Sequence, residues 1–238
     1  MTEVIWLLLL VPFAASLGAQ KLVRSTYRRY RAVPNHAGLA GAEIARALLD
    51  AHGLQRVRIR PAPGSLSDNY DGDRKRLALS RAVATERSVS AMGIAAHEVA
   101  HAFQDAEGDR AYRARRAIAE PLTGLAPWFG IALIGGYWFG IEELVVVTLI
   151  YAGGLVIFAV ATLPVEFGAS RRAEAVLRQT GLADASEQRG VRRVLAAAGT
   201  TYVVGLFDRL GYFFALLFVA AAMRRYAIEG GATWLVPF

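Results

Sequence analysis

Residues 121–165 read PLTGLAPWFGIALIGGYWFGIEELVVVTLIYAGGLVIFAVATLPV. This stretch holds no lysine or arginine, and its only acids are Glu142 and Glu143. Each apolar half, Leu122–Gly140 and Leu144–Leu163, approaches the ~20 residues that a helix needs to cross a hydrocarbon core of about 30 Å. The intervening Ile141-Glu142-Glu143 is too short for anything but a hairpin turn. The stretch therefore reads as a transmembrane helical hairpin, with Trp128, Tyr137, Trp138 and Tyr151 as candidate interfacial anchors.

The charges lie outside it. Residues 20–120 carry 18 Lys+Arg against 11 Asp+Glu, and residues 166–200 carry 6 against 4. The positive-inside rule places both blocks in the cytoplasm and the Glu142-Glu143 turn on the translocated side. Val4–Ala19 is another apolar run, followed by Lys21, Arg24, Arg28, Arg29 and Arg31. Glu3 stands where a secretory signal would carry a basic residue, so an uncleaved anchor is expected. Leu210–Met223 is shorter, about 20 Å as a helix. Asp208-Arg209 and Arg224-Arg225 flank it, so it either spans with its charges snorkelling or tilts against the protein. The expected organisation is an anchor (1–20), a cytoplasmic block (21–120), the hairpin (121–165), a cytoplasmic helical segment (166–200) and a C-terminal membrane segment with its tail (201–238).

Composition agrees. The 238 residues are 55% hydrophobic and 20% charged, and mean hydropathy is +0.33. That excludes a disordered chain. The absence of cysteine excludes disulfide, thiol and Cys-ligated metal chemistry. The net charge of +7 comes from residues flanking apolar spans, not from a basic stripe interleaved with aromatics, so the bilayer is the expected partner and nucleic acid is not.

Within the first cytoplasmic block, Pro34 or Asn35 opens a helix to about Ala51, with Ile44, Leu48 and Ala51 on one face and Gly53 as its stop. Arg56–Arg60 alternates as a strand halted by Pro61 and Pro63. Ser65–Asn69 and Arg76–Ser80 flank the turn residues Asp71-Gly72-Asp73 and read as a hairpin in a small sheet. Ser88 caps a helix running to about Asp105.

That last helix contains His97-Glu98-Val99-Ala100-His101, the pattern HExxH. Residues four apart share a helical face, so both imidazoles can bind one Zn²⁺ at about 2.0–2.1 Å. Glu98 lies beside the first ligand and can take a proton from a water activated there. The chain has four histidines, and two are in this motif. Ala95, Ala96, Ala100 and Ala102 let a neighbouring helix come close. Gln104 and Glu107 occupy the positions where a metzincin has Gly and His, so that class is excluded. His36 and His52 have no partner motif and read as solvent-facing.

A catalytic zinc has three protein ligands and one open position. Three carboxylates compete for the third place. Glu120 lies 19 residues past His101, but Pro121 follows it at once. Glu107 is close in sequence and past the expected helix end. Glu166 sits where the third apolar span returns to the cytoplasmic side, two residues beyond Pro164, which is expected to disturb the helix there. An acid at a membrane edge is costly without a partner, and this favours Glu166 while leaving the other two open.

Several segments together resemble the YugP-like neutral zinc metallopeptidases, integral membrane proteins of bacteria. They are Val33-Pro34-Asn35, Gly38–Glu43, Leu66–Asp71, Leu79-Ser80, Ala95–Gln104, Leu163–Phe167 and Thr201-Tyr202-Val203. The resemblance implies His97, His101 and Glu166 as zinc ligands and Glu98 as general base. The chain is also similar to the HtpX-like membrane proteases, whose later Glu begins an ExxxD motif. Ser170 stands at the Asp position and can accept a hydrogen bond without carrying charge. Ala100 stands where the YugP-like motif often has Gly.

The expected fold is thus a mainly α integral membrane protein, with a zincin-like cytoplasmic metalloprotease domain and a small β-sheet. The expected function is a zinc-dependent endopeptidase of the bacterial inner membrane, multi-pass, acting on protein or peptide substrates at the cytoplasmic face. Tyr202, Arg171 and Arg172 are candidates to support the oxyanion, and the Arg76–Ser80 edge is a candidate to receive an extended peptide. Two alternatives stand beside this: a zinc-binding membrane scaffold without hydrolysis, for which Glu98 would be superfluous, and a membrane zinc hydrolase of a non-peptide bond.

Overall fold

The computed structural model describes residues 2–228, apart from the side chains of residues 2, 120 and 226–228. The tail beyond residue 228 and the side chain of Glu120 therefore lie outside the described residues. The elements, in order, are α1 (Thr2–Arg31), α2 (Gly41–Ala51), β1 (Arg58–Ala62), β2 (Asn69–Asp71), β3 (Arg76–Ser80), α3 (Arg81–Thr85), α4 (Val89–Ala106), α5 (Arg110–Gly124), α6 (Ala126–Phe139), α7 (Glu142–Gln179) and α8 (Ala185–Ile228). They form two compact units. One comprises residues 2–17, 114–162 and 202–228, the other 18–113 and 163–201.

The first unit turns apolar side chains outward. Trp6, Leu7, Phe13, Ile131, Ile134, Trp138, Ile150 and Ile157 are all exposed, far more apolar surface than a soluble monomer leaves to water. α1, α7 and α8 are long and apolar enough to cross a membrane, and α5 with α6 would make a fourth span as a bent pair. The expected straight span from Leu122 is instead broken by 49° between α5 and α6. Pro127, in the first turn of α6, has no N–H to donate backward and clashes with the preceding turn. Tyr151 is not an interfacial anchor. Its hydroxyl donates to the Leu122 carbonyl at 2.8 Å and its ring stacks on Phe129 at 4.0 Å. In the same unit α1 and α8 cross closely. A Cβ on Gly211 would lie 2.0 Å from the Leu8 carbonyl oxygen, and Ser16 donates its hydroxyl hydrogen to Asp208.

Two helices outrun any bilayer. At 1.5 Å per residue, the 38 residues of α7 reach about 57 Å and the 44 of α8 about 66 Å, against a core of ~30 Å. Pro164, expected to disturb the helix, lies inside α7 and does not end it. Asp208-Arg209 likewise do not interrupt α8. Arg209 donates to the Gly205 carbonyl at 2.8 Å one turn back.

The second unit has a buried apolar core with α4 at its centre. Of the 18 residues of α4, 15 are buried, which explains its small side chains. Gly93 meets Val191 of α8, where an added Cβ would stand 3.3 Å from Cγ1. Ile44, Leu48 and Leu49 of α2, Leu77 and Leu79 of β3, Ala169, Ala173 and Leu177 of α7, and Val191 and Leu195 of α8 complete the core. Ser88 caps α4, its hydroxyl accepting from Ala91 N at 3.2 Å. α2 begins later than expected, at Gly41, because Asn35 bonds Leu39 through both its amide oxygen and nitrogen, at 3.1 and 2.9 Å, and holds 35–39 in a turn. Ala51 is exposed, and the buried face is Gly41, Ile44, Ala45, Leu48 and Leu49.

The sheet runs β1-β3-β2, with β1 parallel and β2 antiparallel to β3. The hairpin forms around Asp71, whose Oδ1 accepts from Asp73 N and Arg74 N at 3.1 and 3.0 Å. Its first strand starts at Asn69 because Asp68 is spent on Ser80, accepting from its N–H at 2.7 Å. Pro61 does not stop β1, which as an edge strand needs hydrogen bonds on one side only. β3 is the central strand, so its edges are occupied and the peptide-docking role expected for Arg76–Ser80 is not available to it.

The tight entry of α2 has a direct consequence. A Cβ at Gly41 would stand 2.2 Å from the Val83 carbonyl oxygen, whereas one at Gly18 meets nothing within 4 Å. Gly41→Ala is expected to destabilise the fold by about 1–3 kcal/mol, and Gly18→Ala should not. Thermal unfolding in detergent, followed by circular dichroism, reads the difference; equal melting of the two variants contradicts the close approach.

Candidate metal centre

The helical turn between residues 97 and 101 sets two imidazole rings of α4 edge to face, with centroids 4.8 Å apart. α7 brings Glu166 against them. Its Oε2 lies 3.3 Å from His97 Nε2 and 3.5 Å from His101 Nε2. Glu166 and His101 are buried, and His97 is half-buried. Ligand atoms of all three side chains lie within 4.8 Å of one another.

The far nitrogens of both rings are held. Gln104 donates its amide N–H to the Val165 carbonyl at 3.0 Å, which turns its Oε1 to His101 Nδ1 at 2.8 Å. An amide oxygen only accepts, so Nδ1 carries the proton and Nε2 of the neutral ring presents a lone pair. Ser170 Oγ lies 3.3 Å from His97 Nδ1 and can accept in the same way. Two imidazole lone pairs and a carboxylate thus converge in a buried space. Such a set repels itself unless a cation or proton sits among its members. The donors are nitrogen and oxygen, which suit zinc, and outer partners on both histidines match what zinc-binding imidazoles use.

Glu98 is buried next to this set. Burial pushes its carboxyl above the usual range, against the pull of His97 and His101 and with help from Glu166 and Asp68. Burial alone would lower His101, but a hydrogen bond donated by its ring to Glu166 and the charge of Glu98 raise it. A dication would remove that need for a proton.

The comparisons with known proteins agree with this chemistry. A family model described as "Putative neutral zinc metallopeptidase" matches residues 5–221. The chain belongs to that family. Zinc is accordingly the cofactor of this neutral zinc metallopeptidase family member, and the donor set fits it. A protein of Bacillus subtilis (strain 168), named "Putative membrane protease YugP", is 38% identical over 204 residues, covering 83% of this chain and 89% of that protein. No solved structure matches the chain.

The other expected residues lie elsewhere in this family member. Glu107 caps the end of α4 and is paired with Arg172, which also faces Asp109 at 3.9 Å. Arg172 thus serves an acidic pair at the start of α5. Arg171 is exposed, and Tyr202 is half-buried on α8 in the other unit. His52 stacks on Phe103 at 4.1 Å and lies 2.9 Å from the Leu48 carbonyl. His36 is not a bare solvent-facing position. Its Nδ1 pairs with Glu187 at 2.6 Å, and Glu187 also accepts from Asp184 N at 2.9 Å, closing the N-terminus of α8.

Sequence reasoning missed Gln104, Tyr112 and Asp68. Gln104 stands three residues after His101, which is the available signal, but its anchor is a carbonyl 61 residues away. Tyr112 is buried with its ring 6.0 Å from that of His101. The role of Gln104 is testable. Gln104→Leu keeps the volume but removes the partner of His101 Nδ1, and zinc affinity should fall about 10–100-fold. Competition with a calibrated chelator measures it, and unchanged affinity would mean that the hydrogen bond does not orient the ring.

Proposed function

We propose that this protein is a membrane-embedded zinc endopeptidase, multi-pass in the bacterial inner membrane. In this reading its zincin-like domain (18–113 with 163–201) faces the cytoplasm and cleaves protein or peptide substrates near the membrane surface. The observation that carries it is Glu98, a buried carboxylate next to the His97, His101 and Glu166 donors, since a purely structural metal site has no use for a base.

His97, His101 and Glu166 would hold the zinc and leave a fourth position open. When bound there, zinc polarises a carbonyl and makes water more acidic. Glu98 takes a proton from the water as its oxygen attacks the scissile carbonyl carbon, and then delivers that proton to the amide nitrogen as the C–N bond breaks. The raised affinity of Glu98 for a proton suits a group that must both take and return one. Gln104 and Ser170 keep the imidazoles aimed. Tyr202 and Arg171 remain candidates for the oxyanion, and Arg172 is the weaker one because Glu107 and Asp109 engage it. The basic blocks beside the spans support the cytoplasmic assignment.

Glu98→Gln should keep stoichiometric zinc and lose at least about 10²-fold in turnover of unfolded membrane-protein substrates. Near-normal turnover removes Glu98 from the mechanism. Glu166→Gln should lose zinc as well as activity, and Glu120→Gln neither; zinc retained in the first and lost in the second hands the role to Glu120. For orientation, cysteines replacing Arg58 and Arg178 should resist an impermeant thiol reagent in intact cells, while one replacing Glu142 should react. Labelling at position 58 from outside reverses the orientation.

A further inference from the structure

Beyond the metal centre, the second unit contains a cavity of about 340 Å³ between the end of α1 and residues 193–200 of α8. Leu22, Ala196 and Ala197 supply apolar lining, Thr26 and Thr200 add hydroxyl groups, and Arg29, Tyr30 and Arg193 supply the remaining polar lining. Their order along the two helices is the same. On α1, Leu22 lies closer to the apolar run 4–19 than Arg29 does. On α8, Ala196 and Ala197 lie closer to the apolar run 210–223 than Arg193 does. Along each helix the arginines are thus the lining residues farthest in sequence from the apolar run. The apolar residues lie nearer to it together with Thr26 and Thr200, and the Thr200 hydroxyl is spent on the Ala197 carbonyl at 2.6 Å.

Tyr30 organises the cationic end. Arg193 donates to its hydroxyl at 3.0 Å, and the Arg29 guanidinium carbon stands 5.8 Å from its ring centre. Neighbouring arginines are neutralised: Arg31 by Glu86 at 2.8 Å and Arg192 by Glu174 at 2.9 Å. Among the described residues, Arg29 and Arg193 have no carboxylate partner. Two uncompensated guanidinium groups beside an apolar trough call for an anion attached to a hydrocarbon chain.

We propose that this cavity is a binding site for one anionic phospholipid, its phosphate between Arg29 and Arg193 and the start of an acyl chain along Leu22, Ala196 and Ala197. The volume lies at the small end of ligand sites, which suits a glycerophosphate head whose tails continue into the bilayer. The lipid would clasp α1 to α8, independently of the proteolytic reading.

The test is native mass spectrometry of the full-length protein in detergent, titrated with phosphatidylglycerol or phosphatidylcholine. The wild type should retain one phosphatidylglycerol in preference to phosphatidylcholine. Arg193→Gln should weaken that binding about five-fold, and Arg29→Gln/Arg193→Gln roughly twenty-five-fold, at about a factor of five per arginine. Zinc content and helical circular dichroism should be unchanged and report folding. Arg24→Gln/Arg189→Gln removes the same charge from exposed positions on the same helices, outside the cavity, and should leave binding nearly intact. Equal weakening by both double variants would reduce the effect to general surface charge. Equal retention of the two lipids overturns the proposal, as does displacement of phosphatidylglycerol by inorganic phosphate at matched concentration, which would make the site one for a free anion. If the double variant fails to fold, the single variant and the two-lipid comparison still decide.

Discussion

The structure depends on a buried carboxylate that faces two imidazole lone pairs. Glu166 lies between His97 and His101 with no aqueous neighbourhood to solvate it. Leaving such a group uncompensated would cost several kcal/mol. A zinc ion held among them would turn three mutually repelling donors into three ligands, and would couple metal binding to the docking of α7 on α4. Gln104 strengthens the link, because the same amide that aims His101 also bonds the main chain of α7 at Val165.

The rest of the second unit positions that contact. α4 can lie inside a core because its residues are small, α8 approaching at Gly93, and α7 comes close at Gly168, where an added Cβ would stand 3.3 Å from Gln104 Nε2. α7 can deliver Glu166 because it does not stop where its apolar stretch ends. A helix that continues past Pro164 fixes the direction of Glu166 and of Ser170 one turn later, with both on the face that meets the histidines. Rigid helices hold ligands more precisely than loops do, and a site whose ligand distances tolerate about 0.2 Å benefits from that.

Legibility in the sequence follows the range of the interaction. The cap at Ser88 and the shared face of His97 and His101 are local and could be read from spacing. The apolar runs could be counted, but their ends could not. Charged residues at 166–179 and 185–209 looked like interruptions, while in the structure they belong to the same helices as the apolar runs. The break between α5 and α6 was present in Pro127 and was overlooked because hydropathy ignores it. Pro61 was overread as a stop, since it lies on an edge strand, and Pro164, expected to disturb its helix, lies inside one that tolerates one missing hydrogen bond. Asn35 delayed α2 through a side-chain turn that periodicity cannot register. Gln104 was legible only as a polar residue one turn past His101; its meaning depends on a carbonyl brought near by tertiary packing. For Glu166 the sequence supplied a preference over Glu120 and Glu107 from topology, and the atomic distances supply the geometry.

The central claim is that His97, His101 and Glu166 hold a single zinc ion with room for water. Zinc-edge X-ray absorption on the purified protein loaded with one equivalent of zinc tests it most directly. The account predicts about four nitrogen or oxygen neighbours near 2.0–2.1 Å, with outer-shell scattering from two imidazole rings. Scattering from three or more imidazoles, which would draw in His36 or His52, or failure to retain one equivalent of zinc, would contradict it.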